Sequence, residues 1–363
     1  MAGLIKSMPR ADGFHMPGEF EPHAGAWMLW PERPDNWREN AAPAQQTFAS
    51  VAAAIAAFEP VTMGVSQNQF IQARAMLPDS VRVVELSSND SWMRDCGPTF
   101  VTNGSLLRAV DWDFNAWGGL YTDFSFDQQV AQKVAEIEGV ERYKAPLILE
   151  GGSFHVDGQG TLLTTKECLL NENRNPQLSQ AQIEEYLWDY LSVEQIIWLE
   201  RGIYLDETQG HVDNISCFLR PGEVALAWTD DKSDPQYEIS RENEEILKSA
   251  TDARGRHLKV HRLHVPAPAT ITRAESEGVL PVDGTLPRMA GDRLAASYIN
   301  FYFCNGGAVV PTFNDPMDAV ALAQLQELLP ERKVVGIPSR EILLGGGNIH
   351  CITQQVPAVI HHG

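Results

Sequence analysis

Residues 151–157 read Gly-Gly-Ser-Phe-His-Val-Asp, and two later stretches repeat this form. They are Gln-Gly-His-Val-Asp-Asn at 209–214 and Gly-Gly-Asn-Ile-His-Cys at 346–351. Each stretch has glycine ahead of a short strand-like run that carries polar side chains. The histidines of the first two stretches are 56 residues apart, and those of the second and third are 139 residues apart. A unit of about 55 to 70 residues would fit about five times into the chain, which predicts small repeated units around a common axis.

Short strand-like runs alternate with longer helical runs along the rest of the chain. The predicted strands are 81–86, 161–164, 224–228, 308–311 and 333–337, and the predicted helices are 44–58, 179–190, 237–251 and 316–329. Prolines and glycines are dispersed as turn signals and form no linker. The pattern indicates an α/β fold in a single domain over 1–363, in which residues 1–14 could form a loose amino-terminal tail.

Composition narrows the class of partner. The chain has 363 residues, with 28 Lys and Arg against 48 Asp and Glu, a formal net charge of −20. Such a surface repels phosphate backbones and anionic lipids, so we expect a small cation as ligand, and neither nucleic acid nor membrane. The amino terminus lacks the apolar core of a secretory signal, and the longest apolar helical stretch, 51–58, is too short to span a bilayer. We therefore expect a cytoplasmic protein, and the sequence leaves a homo-oligomer open.

The thiol of Cys351 is the first candidate for chemistry, because it follows three consecutive glycines. A thiol with an ordinary pKa of about 8.5 needs help to attack at neutral pH. If residues 346–351 are extended, the neighbouring His350 points to the opposite face and is a poor helper. His211 and Asp213 are two residues apart, so on a strand they would share one face. The same His-Val-Asp pattern occurs at 155–157, and spacing alone does not choose between the two.

Further acids precede turns at Asp95 and Glu150. Several carboxylates, one histidine and one thiol, with few basic residues nearby, indicate a pocket for a cationic electrophile. The five cysteines form no C-x-x-C pair, and no H-E-x-x-H, phosphate-binding loop or G-x-S-x-G motif occurs. These absences argue against a disulfide framework, against a metal site, and against the common nucleotide-binding and serine-hydrolase sites.

Together these residues resemble the agmatine deiminase family of the pentein, or guanidino-group-modifying, superfamily. The supporting runs are MPGEFEPHAG (16–25), WPER (30–33), DSWMRDCGP (90–98), DFNAWGG (113–119), LEGG (149–152), NENRNP (171–176), GHVDN (210–214) and GGGNIHCITQQ (345–355). Each run is weak by itself, but their order along nearly the whole chain is highly specific. The resemblance implies a five-bladed α/β propeller with a pocket on its axis. It also implies hydrolysis of agmatine to N-carbamoylputrescine and ammonia, within polyamine metabolism and putrescine biosynthesis, without metal or organic cofactor.

The resemblance also implies a role for each matching residue. Cys351 becomes the nucleophile that forms an amidino-cysteine intermediate, and His211 becomes the general acid and base. Asp95 and Asp213 become the carboxylates that hold the guanidinium, and Glu150 becomes the partner of His211. His155 has no role in this pattern. The remaining implied positions are those that line the carbon chain of the substrate, Trp92 and Trp117.

Three alternatives remain at this level. A related deiminase could act on free arginine or on arginine in a peptide, and free arginine would call for a cationic group near its carboxylate. A non-catalytic module could keep the fold without the chemistry. A metal-dependent hydrolase would lose activity with a chelator, whereas a thiol enzyme would not.

Overall fold

The computed structural model describes residues 3–359 and contains a mixture of strands and helices. The strands are β1 (Leu4–Ile5), β2 (His23–Leu29), β3 (Val61–Val65), β4 (Arg82–Glu85), β5 (Thr99–Thr102), β6 (Leu107–Asp113), β7 (Arg142–Ile148), β8 (Phe154–Val156), β9 (Thr161–Thr165), β10 (Gln195–Leu199), β11 (Ser216–Arg220), β12 (Glu223–Trp228), β13 (Lys259–His264), β14 (Tyr302–Cys304), β15 (Gly307–Thr312), β16 (Lys333–Pro338) and β17 (Thr353–Pro357). The helices are α1 (Ala42–Ala56), α2 (Phe70–Met76), α3 (Met93–Cys96), α4 (Ala116–Gly119), α5 (Asp127–Glu138), α6 (Lys166–Leu169), α7 (Gln180–Leu191), α8 (Pro235–Ser249), α9 (Arg273–Glu277), α10 (Met317–Leu328) and α11 (Arg340–Leu344). Short 3₁₀ turns occupy Arg10–Asp12, Glu39–Ala41, Gly151–Ser153 and Val212–Asn214.

The strands of the described part form five separate sheets. Their strand orders are β1-β7-β6-β5, β10-β9-β8, β11-β12-β13, β14-β15-β16 and β17-β2-β3-β4. The last sheet joins the two ends of the described chain, because Thr353 pairs with Met28 in antiparallel register. Each sheet is thus small, and residues far apart in sequence hold the fifth one together.

One connection recurs in every sheet. An edge strand runs antiparallel to the next strand, which is followed by a helix and a parallel third strand. The edge strands are β5, β8, β11, β14 and β17, and their antiparallel partners are β6, β9, β12, β15 and β2. The intervals between successive edge strands run from 51 residues, Tyr302 to Thr353, to 86 residues, Ser216 to Tyr302. The sequence repeat of 151–157 and 209–214 therefore marks the approach to two of these edge strands.

Local sequence explains where several helices begin. Helix α7 starts with a capping box in which the Ser179 hydroxyl accepts from the backbone N–H of Gln182 and the Gln182 side chain accepts from Ser179. Helix α8 has Pro235 in its first turn and Asp234 as its cap. The buried face of α1, with Phe48, Val51 and Ile55, belongs to the same apolar cluster as strand residues of β2 and β3. Burial of such faces is what holds the helices against the sheets.

All nine strands and helices predicted from the sequence are confirmed, with ends shifted by a few residues. Two premises were wrong. Residues 346–351 are not extended, because Cys351 lies in a turn before β17, and Asp213 lies in a 3₁₀ turn instead of a strand. The segment expected to be a loose tail is attached over its described part, since Leu4 pairs with Arg142 and Phe14 is buried. Within residues 3–359, no helix is long and apolar enough to cross a membrane.

Candidate active site

Polar residues collect where the chain approaches the five edge strands. Each approach is a turn or a single helical turn, and each carries one or more buried polar side chains. In chain order these side chains are Asp95, Glu150, His211 with Asp213, Asn300 and Cys351. The repeated connection therefore delivers chemistry-bearing groups from all five sheets, at equivalent positions.

The thiol of Cys351 lies among polar partners and is 6% exposed. Its Sγ is 3.5 Å from Oδ2 of Asp213 and 3.3 Å from Nδ2 of Asn300. Gly347 leaves room for it, because a Cβ there would lie 3.1 Å from Sγ and 2.5 Å from the ring of Trp92. The glycine run before Cys351 thus lets the backbone pass between the thiol and an aromatic wall.

The pKa of the Cys351 thiol is held well above its ordinary value. Burial is the largest cause, and the carboxylates of Asp213 and Asp95 add to it, because a negative thiolate beside them is disfavoured. The thiol of the unliganded protein is therefore protonated at neutral pH. A bound cation would oppose both causes.

His211 lies between two carboxylates. Its Nδ1 is 3.9 Å from Oδ2 of Asp95, and its Nε2 is 3.9 Å from Oε2 of Glu150. Burial alone would lower the pKa of His211, but Asp95, Cys168 and Glu150 outweigh it and raise the pKa well above its ordinary value. The imidazole is consequently protonated at neutral pH and can act as an acid.

Glu150 is fully buried and is fixed from behind by an arginine. Nε of Arg174 donates to Oε1 of Glu150 over 2.6 Å, and the same guanidinium donates to the backbone oxygen of Thr208 over 2.9 Å. The pairing leaves Oε2 of Glu150 turned toward His211, with no hydrogen-bond partner among the described residues. The sequence analysis assigned no role to Arg174, although it lies in the run at 171–176.

Asp95 receives two hydrogen bonds that fix its orientation. The indole Nε1 of Trp117 donates to Oδ2 over 2.9 Å, and the backbone N–H of Gly152 donates to Oδ1 over 2.9 Å. Trp117 has a φ of +54° and Ala116 a φ of +53°, a conformation that is strained for residues with side chains. Burial raises the pKa of Asp95, and His211 opposes that shift. The strained turn therefore aims an indole donor at this carboxylate.

Gly152 is the meeting point of the site. A Cβ at this position would lie 2.6 Å from Nδ1 of His211, 2.9 Å from Oδ2 of Asp213 and 3.0 Å from Oδ1 of Asp95. These three side chains therefore surround the Cα of Gly152, which carries a hydrogen atom where other residues carry a side chain. The double glycine that follows Glu150 gives them this space.

His350 and His155, which the sequence could not place with certainty, both lie behind the carboxylate of Asp213. Nδ1 of His350 is 2.9 Å from Oδ2 of Asp213, and its Nε2 is 2.9 Å from Oε2 of Glu19. His155 is 3.4 Å from Glu19 and accepts a hydrogen bond from the backbone N–H of Phe218. The expectation that His350 merely faces away was incomplete, because its turn conformation directs the ring to Asp213.

A narrow cavity of about 20 Å³ reaches the thiol. Trp92 and Trp117 line it together with Tyr121, and Glu207 lies on its wall. The carboxylate of Glu207 is partly exposed and pairs with Arg288. Glu207 and Asn300 carried no sequence signal, because each lies in an irregular segment without a recurring motif.

Among residues 3–359, two buried clusters have donor atoms close enough to share a metal ion. They are Glu19 with His155 and His350, and Glu150 with Cys168 and His211. In the first cluster the Glu19 carboxylate already accepts from Arg94 and contacts both imidazoles. In the second, the guanidinium of Arg174 bonded to Glu150 opposes a further cation. These ion pairs and hydrogen bonds account for the closeness of the donor atoms in each cluster.

Comparisons with known proteins agree along nearly the whole chain. The family model of the Porphyromonas-type peptidyl-arginine deiminases matches residues 15–357. The agmatine deiminase of Pseudomonas aeruginosa is 58% identical over 359 residues, 97% of this chain and 98% of that protein. The solved agmatine deiminase of Enterococcus faecalis is 50% identical with a TM-score of 0.96, covering 99% of this chain and all of that one. A substrate-bound cysteine-to-serine variant of the C. jejuni agmatine deiminase is 28% identical with a TM-score of 0.83, covering 96% and 97% of the two chains.

The mixed α/β fold of this chain matches that of solved deiminases of the pentein superfamily. The chain belongs to the Porphyromonas-type peptidyl-arginine deiminase family and, within it, groups with the proteins named agmatine deiminase.

Proposed function

We propose that this protein hydrolyses agmatine to N-carbamoylputrescine and ammonia, with Cys351 as nucleophile. The observation that carries the proposal is the convergence of His211, Asp95 and Asp213 on Gly152, with the Cys351 thiol 3.5 Å from Asp213. The similarity to proteins named agmatine deiminase supports the choice of substrate.

Binding of the guanidinium uses the two carboxylates. The group is planar and always charged at neutral pH. Asp95 and Asp213 each contribute about 4 kcal/mol of Coulomb attraction at about 4 Å in an effective dielectric of about 20, before desolvation is subtracted. Both side chains are at most 5% exposed, so water competes weakly. Because both carboxylates bind the guanidinium, its central carbon faces the sulfur of Cys351.

The wall of the cavity suits the remainder of agmatine. The indole faces of Trp92 and Trp117 would pack along its methylene groups. Glu207 would face the distal ammonium, which the sequence analysis left without a partner. Free arginine carries a carboxylate at that end, which Glu207 would repel. Arg288 pairs with Glu207 and also donates to Asn36 and to the Gly345 carbonyl oxygen, so it reduces that repulsion but is itself buried.

Chemistry then proceeds in two halves. The bound cation counters the charge of Asp95 and Asp213, which lowers the pKa of the Cys351 thiol, and the thiol proton passes to solvent. The thiolate adds to the guanidinium carbon, and the His211 imidazolium gives its proton to the nitrogen that departs as ammonia. The carbon–nitrogen bond breaks, and an amidino group remains on sulfur.

Water completes the cycle. Neutral His211 accepts a proton from water as the oxygen adds to the amidino carbon, and the carbon–sulfur bond then breaks to release N-carbamoylputrescine. His211 is again protonated, and Glu150 stabilises that charge. The proton of the added hydroxyl group returns to the Cys351 sulfur as the carbonyl group of N-carbamoylputrescine forms.

The same proposal extends to the architecture. The five sheets act as five blades around a common axis within a single domain, and the equivalent positions of the site residues before the five edge strands support this arrangement. The pocket then lies on that axis, where side chains from all blades meet.

Turnover of two substrates tests the proposal. The kcat/KM measured by ammonia release should be at least about a hundredfold higher with agmatine than with free arginine, because Glu207 disfavours a carboxylate. Replacing Cys351 with serine should abolish release while the fold remains. Cys304→Ser is the matched control, since Cys304 is also buried but lies in β14 outside the cavity. A preference for arginine, or normal release by the Cys351→Ser variant, would overturn the proposal.

A further inference from the structure

We propose that His350 is a positioning residue, which holds the Asp213 carboxylate in place to bind the guanidinium by bridging it to Glu19. This inference rests on the proposed function, because it assigns the effect of His350 to the binding of that same cation. Neither His350 nor Glu19 has a role among the site residues that the family resemblance implies.

The geometry is a linear chain of buried groups. Nε2 of His350 is 3.0 and 2.9 Å from the two carboxylate oxygens of Glu19, and Nδ1 is 2.9 Å from Oδ2 of Asp213. The same Oδ2 is 3.5 Å from Sγ of Cys351. All four side chains are at most 6% exposed. An ionised carboxylate only accepts hydrogen bonds, so contacts with Asp213 and Glu19 at once require both ring nitrogens to donate, which they do only in the imidazolium.

The surrounding charges balance only when His350 is protonated. Arg94 donates to Oε1 of Glu19 over 3.2 Å, and its Nε donates to the backbone oxygen of His350. The ring of His155 lies 6.2 Å from that of His350 between centroids and also faces Glu19. Glu19 and Asp213 contribute two negative charges, and Arg94 and the His350 imidazolium contribute two positive ones. A neutral His350 would take from Asp213 the cation that hydrogen-bonds it, leaving the charge of His211 as its counter-charge.

The pKa of His350 is raised and that of Asp213 is lowered, as these charges require. Burial and Arg94 would lower the pKa of His350, but Glu19 and Asp213 outweigh them and raise it. Burial alone would raise the pKa of Asp213, yet the contact with His350 brings it below its ordinary value. Asp213 is therefore ionised, as pairing with a guanidinium requires, although it is 2% exposed.

His350 does not itself contact the reacting atoms in this arrangement. Asp213 stands between its ring and the thiol, and both ring nitrogens are occupied by carboxylates. Its effect should fall on substrate affinity, through the ionisation and orientation of Asp213. This separates it from His211, whose loss should fall on the rate of the chemical steps.

The test compares His350→Gln with His155→Gln. Glutamine keeps a hydrogen-bonding side chain but carries no charge. His155 is an equally buried neighbour of Glu19, and among the described residues its hydrogen bond is to the backbone of Phe218 and not to Asp213. KM and kcat for agmatine are measured by ammonia release between pH 6 and 9. We expect His350→Gln to raise KM about tenfold at pH 6, the smaller end of what a hydrogen bond to a charged group is worth, with a smaller change in kcat. The KM ratio of variant to wild type should shrink as pH rises, because Asp213 regains its charge.

The outcomes separate the two proposals. A KM ratio that stays constant across pH, or an equal effect of His155→Gln, would overturn the positioning role and assign His350 to packing alone. If His350→Gln is not recovered folded, Glu19→Gln decides in the same assay. It removes the negative charge that stabilises the imidazolium and should give the same pH-dependent ratio. A pH-independent ratio for Glu19→Gln would likewise overturn the inference. Failure of the wild-type protein to release ammonia from agmatine would instead contradict the proposed function.

Discussion

Replacing Gly152 with alanine tests the convergence of the site with the smallest possible side chain. The backbone at Gly152 has no positive φ, so alanine is allowed by conformation, and only the space is at issue. Its Cβ would lie 2.6 Å from Nδ1 of His211, whereas ordinary contact begins near 3.4 Å, so one partner must move by about 0.8 Å. A misplacement of about 1 Å in a catalytic arrangement costs about a hundredfold in rate. We expect kcat/KM for agmatine to fall by about that factor.

The matched control for this variant is Gly307→Ala. Its Cβ would lie 2.7 Å from the ring of Phe58, which is similar crowding in β15, away from the cavity. Both variants should lose about 1–3 kcal/mol in the free energy of unfolding, since both overfill a packed region. Activity should fall only in Gly152→Ala. A folded Gly152→Ala protein with nearly normal kcat/KM, or an equal loss of activity in Gly307→Ala, would refute the reasoning.

Two further predictions concern charge. Glu207→Gln should raise KM for agmatine about tenfold, because the distal ammonium loses a partner at the cavity wall. The ratio of ammonia release from agmatine to that from arginine should fall. An unchanged ratio would contradict the placement of the distal ammonium beside Glu207. Burial, followed by the charge of Asp90, raises the pKa of Asp127 to about 8. Between pH about 4 and about 8 the folded protein therefore binds a proton at Asp127 that the unfolded chain does not, and this contribution to stability is lost as pH rises. Urea unfolding at pH 5 and pH 8 should show a smaller loss of stability for Asp127→Asn than for wild type, and equal losses would contradict the shift.

The regular elements could be predicted because their signals are local. Alternating strands and helices, proline at helix starts and glycine at turns act over a few residues, and the predicted strands at 224–228 and 333–337 accordingly match β12 and β16 within a residue or so at each end. The irregular stretches were harder. A 3₁₀ turn, not a strand, brings His211 and Asp213 together at Gly152, so the assumption of a strand was wrong although the two side chains do converge.

The contacts of the site could not be predicted for a different reason. Glu19 and His350 are 331 residues apart and meet only because the ends of the chain share the sheet β17-β2-β3-β4. Asn300 and Glu207 lie in segments without a motif, and their positions follow from tertiary packing. Sequence resemblance could name residues that carry chemistry, but not the buried residues that hold them in place.

The central claim is that the sulfur of Cys351 becomes covalently bound to the substrate carbon. Mass spectrometry of wild-type protein quenched in acid during turnover of agmatine tests it most directly. We predict an added amidino group on the peptide that contains Cys351, absent when substrate is withheld and absent from the Cys351→Ser variant. Rapid turnover with no adduct on that peptide at any quench time, or an adduct on another cysteine, would contradict the account.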